Sequence, residues 1–291
     1  MRDPVEKSVL YVVATPIGNL EDITLRALRV LREADLIACE DTRHTRKLLD
    51  HYEIARPVLS YHEHNEQERA RELVQKLEQG LTVAQVSDAG MPSIADPGYR
   101  VIKLAIEKGI PVRPVPGPSA VIAALAGSGL PTDSFEFLGF LPARSGQRRT
   151  VIERLRSSAT TVVLYEAPHR IRETLAEIVE ILGPERPVVI ARELTKVHEE
   201  FLRATAGELH GRIGDRELKG EITLLIGHSE NSSRLSPAAV ATSDLNHRMQ
   251  QIMREQGLDE KSALKALARE RGQSRSEVYR ELLRVRGRRK K

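Results

Sequence analysis

Cysteine is nearly absent from this chain, and tryptophan is missing altogether. The single cysteine, Cys39, excludes a disulfide framework and a cysteine-based zinc site, and it is typical of a protein from a reducing compartment. The first eight residues lack the apolar stretch of a signal peptide, and no later apolar run has the length needed to cross a bilayer. We therefore expect a soluble, cytoplasmic protein that has no contact with a membrane.

Two common nucleotide-binding signatures are also missing. No G-x-x-x-x-G-K-[ST] motif occurs, which argues against a P-loop nucleoside triphosphatase. No G-x-G-x-x-G follows the first apolar run, which disfavours a standard dinucleotide-binding fold. At 291 residues the chain is nevertheless long enough for two domains, each with its own hydrophobic core.

Charge is distributed unevenly along the chain. The whole sequence has 45 lysines and arginines against 41 acidic residues, but from Ser236 to the end there are 14 basic and 7 acidic residues. The basic character therefore belongs to the tail, and the preceding body is close to neutral. A cationic tail predicts a polyanionic partner, with nucleic acid the first choice.

Three loops rich in glycine and proline follow apolar, β-branched runs in the first half of the chain. They are Ala14–Asn19, Ser87–Gly98 and Pro114–Ala120, the last after a short run at Ile110–Val112. The carboxyl ends of parallel strands meet at one edge of a sheet, so loops that follow such strands converge. Glycine lets the backbone approach a ligand closely, and proline sets the loop shape before binding. The sequence therefore predicts a ligand cleft at this edge.

The order of apolar and amphipathic segments predicts an α/β protein in three parts. Residues 1–127 are expected to form a parallel sheet with helices on both faces, ending in a turn-rich stretch at Gly127–Pro131. Residues 128–230 are expected to form a second α/β domain with a mixed sheet, because only some of its strands are separated by helices. Residues 231–291 predict a linker and three helices, the last beginning at the capping box Ser274–Glu277, on a helix-turn-helix plan.

Seven stretches of the chain together resemble the tetrapyrrole methylase family of S-adenosylmethionine enzymes, and within it the branch that 2′-O-methylates a cytidine of small-subunit ribosomal RNA. They are residues 14–24, 39–45, 60–66, 87–98, 116–120, 165–170 and 192–196. The family's usual first loop, G-x-G-P-G, is replaced here by Thr15–Asn19, and its usual G-D-P is replaced by Gly90–Pro92. Both departures are typical of the RNA-modifying branch.

The resemblance implies a tetrapyrrole-methylase-like fold, a homodimer, and S-adenosyl-L-methionine folded between the two α/β domains. It also implies cytidine 1402 of 16S ribosomal RNA as the target, in free RNA or in the 30S particle. Glycine at positions 90 and 117 is expected where a side chain would crowd the ligand. The residues expected to contact the cofactor are Pro16, Gly18, Asp88, Ala89, Gly90, Met91, Pro92, Ser93, Ile94, Gly117, Ser119, Ala120, Tyr165, Glu166, Glu221 and Ile222.

Methyl transfer to a ribose needs a group that accepts the hydroxyl proton, because a neutral hydroxyl is a poor nucleophile. Our candidates for this group are Asp41, Glu166 and Lys196. Asp41 is also well placed to be only the N-cap of a helix that begins at Thr42, and Lys196 could belong to a solvated charged face.

Basic side chains are expected to contact RNA phosphate or ribose. The candidates are Arg43, His62, Arg148, Arg149, Arg275, Arg280 and Arg284. No metal is predicted: His62 and His64 flank Glu63 at strand-like spacing, but a third ligand is not evident and transfer from a sulfonium needs no metal. The alternative for the basic tail is a small oligomerisation module.

Two other functions are compatible with part of these features. A methyltransferase that acts on a small tetrapyrrole would keep the fold, but the basic tail and the altered first loop argue against it. A non-enzymatic RNA-binding assembly factor would keep the tail. A measurement of the affinity for S-adenosylmethionine distinguishes an assembly factor from a methyltransferase, because an assembly factor does not need the methyl donor.

Overall fold

The structure is a computed structural model that describes residues 5–214, 218–228, 252–253, 259–270 and 278–279. The described residues fall into two compact units. One contains the residues up to Arg156 and those from Thr160 to Gly227, and the other contains Ser157–Ala159 and the residues from His228 onward. In these described ranges, no helix combines the length and the apolar character needed to cross a bilayer.

The first sheet of the larger unit has five strands, and every pair in it is parallel. Its strands are β1 (Leu10–Val13), β2 (Leu36–Cys39), β3 (Val58–Ser60), β4 (Val83–Gln85) and β5 (Val112–Val115), in the order β3-β2-β4-β1-β5. Its helices are α1 (Leu25–Glu33), α2 (Thr42–His51), α3 (Glu66–Glu78) and α4 (Tyr99–Glu107). Helix α5 (Ala120–Ser128) follows β5 and packs on the second sheet. The predicted parallel sheet is confirmed.

Both faces of this sheet are buried, and alternate residues of β1 show why. Tyr11 and Val13 pack into one apolar cluster with α1, whereas Leu10 packs into another cluster with α3. Strand side chains alternate between the two faces, so a strand covered on both sides is apolar at every position. Helix α3 contributes a stripe at Ala70, Leu73, Val74 and Leu77.

The strand order explains how the cleft is built. Strands β4, β1 and β5 are neighbours in the sheet, and the three glycine- and proline-rich loops follow these three strands. All three strands run in the same direction, so the loops leave from one edge. A cleft at the carboxyl edge is therefore formed by three adjacent loops, as predicted.

The second sheet is mixed, as expected. Its strands are β6 (Phe135–Phe140), β7 (Thr161–Glu166), β8 (Pro187–Arg192), β9 (Glu200–Thr205) and β10 (Ile222–Ile226), in the order β6-β7-β10-β8-β9. Only β6 and β7 pair in parallel, and the other pairs are antiparallel. Its helices are α6 (Ser145–Arg154), α7 (Ile171–Leu182) and α8 (Ala206–Ile213).

Two predicted boundaries are wrong. Strand β5 extends to Val115, although it contains Pro114, because β5 is an edge strand and a proline there removes no ladder bond from a second partner. Gly127 lies inside α5 rather than in a turn. A β-carbon at Gly127 would lie 2.6 Å from Cζ of Phe201, so its glycine serves close packing against β9. The division at residues 127 and 230 stays a prediction.

The smaller unit contains helix α9 (Glu260–Glu270), at the position predicted for the second tail helix. Asp259 caps it by accepting a hydrogen bond from the Ser262 backbone at 2.9 Å. One apolar cluster of the described residues contains Ile252, Ala263, Leu264, Leu267, Ala268 and Val278. Arg275, Arg280, Arg284 and the predicted capping box lie outside the described residues.

Candidate functional site

A cavity of about 420 Å³ lies where the loops of the first sheet meet the second sheet. Its lining consists of Ile17, Ala89, Gly90, Met91, Ile94, Ala95, Asp96, Ser119, Ala120, Phe140, Tyr165, Glu166, Ala167, Pro168, Leu194, Gly220, Glu221, Ile222 and Thr223. Most of these residues are apolar, with a few carboxylates and hydroxyls among them. This is the size and composition of a site for a small molecule.

Backbone hydrogen bonds hold the first two loops together. Thr15 N donates to Gly90 O at 2.9 Å, and Gly90 N donates to Thr15 O at 3.0 Å. The Thr15 hydroxyl also donates to Ser87 O at 3.0 Å. Gly90 has a φ of +80°, in the left-handed region that favours glycine, and it lines the cavity.

Gly117 has a different role from the one predicted. A β-carbon there would lie 2.8 Å from Cβ of Ala14, so the residue that it would crowd is the end of β1. Gly117 is not part of the cavity lining. Its glycine serves the close packing of the third loop against the end of β1, whereas Gly90 is among the residues that line the cavity.

The structure brings most of the predicted cofactor residues to one cavity. Ten of them line it: Ala89, Gly90, Met91, Ile94, Ser119, Ala120, Tyr165, Glu166, Glu221 and Ile222. The six that do not are Pro16, Gly18, Asp88, Pro92, Ser93 and Gly117. Pro16 and Asp88 instead line a second cavity of about 170 Å³, together with His44 and Lys47 of α2.

Several lining residues were not predicted, although most of them lie inside recognised motifs. Asp96 belongs to the second loop, Ala167 and Pro168 directly follow Tyr165 and Glu166, and Leu194 lies in the stretch 192–196. Phe140 had no such signal. Strand β6 is irregular between Phe137 and Phe140, where Gly139 has a φ of +66°, and Phe140 remains 62% exposed at the cavity.

Asp41 is engaged outside the cavity. It is the N-cap of α2 and accepts from Arg43 N at 2.8 Å. The Arg43 guanidinium also contacts both carboxylate oxygens, at 3.1 and 2.7 Å. These hydrogen bonds hold the pKa of Asp41 far below its usual range, so its carboxylate is a weak proton acceptor.

Glu166 is buried, and its carboxylate is occupied. It accepts from the Thr174 hydroxyl at 2.6 Å and from Ala167 N at 2.8 Å, and it pairs with Arg170 at 2.9 Å. The side chain has no exposed surface. These contacts tie the end of β7 to the start of α7 and identify Glu166 as a residue that positions the cavity floor.

Lys196 lies between two carboxylates. Its ammonium contacts Glu193 Oε1 at 2.9 Å and Glu221 Oε2 at 3.0 Å. Burial lowers the pKa of Lys196, but the hydrogen bonds to Glu193 and Glu221 outweigh it, and the pKa is raised. The amine therefore stays protonated at neutral pH and does not act readily as a base. Glu193 and Thr195 have φ values of 51° and 65°, which are strained for residues other than glycine.

Asp96 is the third lining carboxylate, beside Glu166 and Glu221. It forms no ion pair with any described lysine or arginine. Burial raises its pKa, a hydrogen bond with Ser87 lowers it, and the Asp88 carboxylate raises it, with a net upward shift. The pKa of Tyr165 is raised mainly by burial and then by the charge of Asp96, so the two side chains interact electrostatically.

The predicted RNA-binding residues have different environments. Arg148 is buried, and its guanidinium donates to Glu177 at 2.7 and 2.9 Å and to Glu173 at 3.3 Å. This prediction is corrected, because a buried and fully paired side chain cannot reach an RNA phosphate. The neighbouring Arg149 forms a two-contact pair with Glu180 on α7.

Arg43 and His62 remain accessible in part. The Arg43 side chain is 88% exposed while it pairs with Asp41. His62 is half-buried, with Nε2 at 3.2 Å from Nδ2 of Asn65 and its ring centre 5.9 Å from that of His64. Within the described ranges, no three His, Cys, Asp or Glu side chains are grouped so that they could hold a metal ion.

Comparison with known proteins places this geometry in a family. The family model for tetrapyrrole (corrin/porphyrin) methylases matches residues 9–210. The chain is 46% identical over 277 residues to a protein of Halalkalibacterium halodurans named ribosomal RNA small subunit methyltransferase I, covering 94% of each chain. It is 52% identical over 223 residues to a protein of the same name from Mesorhizobium japonicum, covering 76% of each.

Solved structures share the fold at lower identity. Uroporphyrin-III C-methyl transferase from Thermus thermophilus, complexed with S-adenyl homocysteine, superposes with a TM-score of 0.52 and 22% identity over 75% of this chain and 96% of that one. Its likeness supports the arrangement of the two sheets. The family model spans more than half of the sequence, and relatives about 50% identical to this chain align with most of it. The chain therefore belongs to the tetrapyrrole methylase family.

Proposed function

We propose that this protein transfers a methyl group from S-adenosyl-L-methionine to the 2′-hydroxyl of a cytidine in small-subunit ribosomal RNA. The observation that carries the proposal is the cavity of about 420 Å³ at the carboxyl edge of the first sheet, in a chain whose relatives are named for methylation of this RNA. By the resemblance, the nucleotide is the decoding-centre cytidine of 16S RNA. An RNA of this kind implies a cytoplasmic enzyme.

The cavity suits a methyl donor that is mostly apolar and carries a positive sulfur. Met91, Ile94 and Ile222 supply apolar walls, and Gly90 leaves space for close backbone contact. Ser119 and Ala120 form the start of α5, where free N–H groups favour a carboxylate such as that of the donor. Glu221 supplies negative charge for the sulfonium. When bound, the donor supplies a methyl group that is activated by its positive sulfur.

The chain's own residues have to place the ribose oxygen behind that methyl group. Positioning of this kind can account for much of a rate enhancement, because it converts an encounter into a near-attack geometry. Glu166 supports the site by tying β7 to α7, and Lys196 holds Glu221 at the cavity rim. The pKa of Asp41 is lowered and that of Lys196 is raised, so both are poor proton acceptors. The Glu166 carboxylate is occupied by Thr174, Ala167 and Arg170. We therefore assign all three residues positioning roles.

Phe140 gives the rim a surface for a nucleotide base. Its ring centre lies 5.4 Å from that of Tyr165, and Phe137 lies 5.0 Å from Tyr165 on the other side. Phe140 is the outermost of the three, since 62% of it is exposed. Single-stranded RNA is commonly recognised by stacking of splayed-out bases on such rings. We assign the target nucleotide or its neighbour to this ring, with Arg43, His62 and the basic tail on the phosphates.

The decisive experiment is transfer of labelled methyl from S-adenosylmethionine to 30S particles and to free 16S RNA, followed by nuclease mapping of the product. We expect one ribose-methylated cytidine. Transfer to a small tetrapyrrole but not to RNA would support the first alternative function. Calorimetry that shows no donor binding would support an assembly factor. Sedimentation in the same buffer tests the homodimer that the resemblance implies.

A further inference from the structure

The geometry points to Asp96 as the catalytic residue that accepts the proton of the attacking ribose hydroxyl. This inference rests on the proposed 2′-O-methylation and adds the proton acceptor that the reaction needs. Asp41, Glu166 and Lys196 are each held by other partners.

Three carboxylates are among the cavity-lining residues, and two of them are already used. Glu166 is enclosed by Thr174, Ala167 and Arg170 and has no exposed side-chain surface. Glu221 is 75% exposed at the rim and pairs with Lys196. Asp96 is partly buried and has no cationic partner among the described residues. Of the three lining carboxylates, Asp96 alone has no lysine or arginine paired with it in the described part of the chain.

The loop around Asp96 is held in place on both sides. Gln85 Nε2 donates to Pro97 O at 3.2 Å and to the Ser93 hydroxyl at 3.4 Å. Gly98 N donates to Glu66 Oε1 at 3.1 Å, and that carboxylate also pairs with Arg100 at 3.0 Å. Asp96 therefore lies in a short segment anchored to β4 on one side and to α3 on the other, which is the preorganisation that a proton acceptor requires.

The charged groups around Asp96 favour proton uptake. The Asp88 carboxylate follows β4, the Glu40 carboxylate follows β2, and Tyr165 approaches from β7. Burial raises the pKa of Glu40, and Asp96 adds to the shift. The Ser87 hydroxyl opposes these effects by lowering the pKa of Asp96. Partial burial and the Asp88 carboxylate together outweigh it, so Asp96 is a stronger base than a solvated aspartate.

The chemical step balances with the groups already named. The O–H bond of the ribose hydroxyl breaks and its proton passes to a carboxylate oxygen of Asp96. The ribose oxygen forms a bond to the methyl carbon as the carbon–sulfur bond breaks. The electron pair of that bond stays on sulfur, which becomes a neutral thioether. Asp96 then releases the proton to water after the product leaves.

The test is the single-turnover rate constant for methyl transfer to 30S particles, measured against pH for the full-length protein and for Asp96→Asn. For the wild type we expect the rate to rise with pH through a midpoint above the ordinary aspartate value of about 3.9 and then to level off. Asp96→Asn should lower the plateau by about 100-fold or more and abolish the acid limb, while donor affinity by calorimetry changes less than about threefold. Asp133→Asn, an exposed aspartate elsewhere, is the matched control.

Ser87→Ala is a second variant that does not remove the carboxylate. The Ser87 hydroxyl lowers the pKa of Asp96, so its removal should move the midpoint of the acid limb to higher pH. Compared with Asp96→Asn, Asp96→Glu should recover part of the rate constant and also the acid limb of the pH profile. The assignment is overturned if Asp96→Asn keeps the wild-type rate constant or keeps the acid limb of the pH profile. It is also overturned if a loss of donor affinity accounts for the whole decrease in the rate constant. If the wild-type product carries its methyl group on a base, the proposed function itself fails.

Discussion

Lys196 lies directly against the backbone of Gly18. A β-carbon at Gly18 would come within 2.5 Å of Lys196 Cγ, 2.9 Å of Thr195 Oγ1 and 3.0 Å of Leu194 O. The first loop of one sheet thus packs on the strained turn between β8 and β9 of the other, with space for a hydrogen only. Leu194 of that turn lines the cavity, so this contact sets one of its walls.

We predict that Gly18→Ala destabilises the protein by about 1–3 kcal/mol, because an added methyl group in a tightly packed contact forces the neighbours to move. It should also weaken donor binding, since Leu194 moves with the turn. The measurements are chemical denaturation and calorimetry. Gly146→Ala in α6 is the control: nothing lies within 4 Å of its β-carbon, so it should be neutral or slightly stabilising. Equal effects of the two substitutions would contradict the packing argument.

Gly90→Val should reduce donor affinity at least tenfold, because its φ of +80° disfavours a β-branched residue and its side chain would enter the cavity. Gly129→Val is the matched comparison: its φ is +78° and nothing lies within 4 Å of its β-carbon. That variant should show the backbone cost in its unfolding free energy and keep its donor affinity. Calorimetry measures the donor affinity of both folded variants. An unchanged donor affinity in Gly90→Val would show that Gly90 is not part of the donor-binding site.

Arg148→Met should destabilise the protein by about 3–5 kcal/mol, because it leaves the Glu177 carboxylate buried without its cation. Adding Glu177→Met should recover much of that loss. Arg149→Met, which breaks a more exposed pair with Glu180, should cost about 0–1 kcal/mol. Urea denaturation measures all three. If Arg148→Met leaves stability unchanged but weakens RNA binding, the original assignment of Arg148 to RNA is restored.

The same pair predicts a pH dependence. Burial raises the pKa of Glu177, but hydrogen bonds from Arg148 and Ser145 outweigh it, and the folded-state pKa is lowered. A lowered pKa contributes stability that is present above the unfolded-state value of about 4.3 and is lost as pH falls through the folded value. The stability difference between wild type and Glu177→Gln should therefore be largest near neutral pH and shrink below about pH 4. A difference that stays constant as the pH falls well below about 4 would contradict this linkage.

Phe140→Leu should weaken RNA binding about tenfold, since stacking on one base contributes about 1–3 kcal/mol. Donor affinity should stay within about twofold, and Phe140→Tyr should restore RNA binding because it keeps the ring. Fluorescence anisotropy with a labelled RNA fragment and calorimetry with the donor separate these effects. If the donor affinity falls instead, Phe140 contacts the donor's adenine and the base-stacking role is excluded.

Removal of the residues from Ser236 onward should leave the cavity intact, because all its lining residues precede that point. RNA affinity should fall, and the slope of log affinity against log salt should become shallower, as phosphate contacts that release counterions are lost. Neutralising Arg275, Arg280 and Arg284 together should reproduce part of the loss. Sedimentation gives the competing result: a truncated protein that becomes monomeric but keeps its RNA affinity and salt slope would identify the tail as an oligomerisation module.

The sheets and the position of the cleft could be predicted from the sequence. The hydrophobic periodicity of strands and helices, and the glycine- and proline-rich loops, can be recognised from residues that are close together in the chain. Partnerships over long sequence distances could not. Arg148 looks like a surface cation next to Arg149, but its counter-ion Glu177 lies on another helix. The obstruction at Gly117 comes from Ala14, and nothing near residue 117 in the sequence indicates it.

The candidate site shows the same limit. Asp41, Glu166 and Lys196 are plausible bases by residue type and motif, and only their hydrogen bonds show that they are occupied. Asp96 stood in a recognised loop, yet its lack of a cationic partner depends on what the fold places around it. Phe140 reaches the cavity because β6 is irregular at Gly139, and a single apolar residue at a strand end does not reveal that.

The paired hydrogen bonds between Thr15 and Gly90 join main-chain atoms only. Most side-chain substitutions in the two loops leave those atoms in place. The geometry of this part of the cleft therefore depends on the backbone path and little on which side chains the loops carry. Substitutions in both loops can therefore alter the side chains presented to the cleft while the backbone pairing of Thr15 and Gly90 is kept.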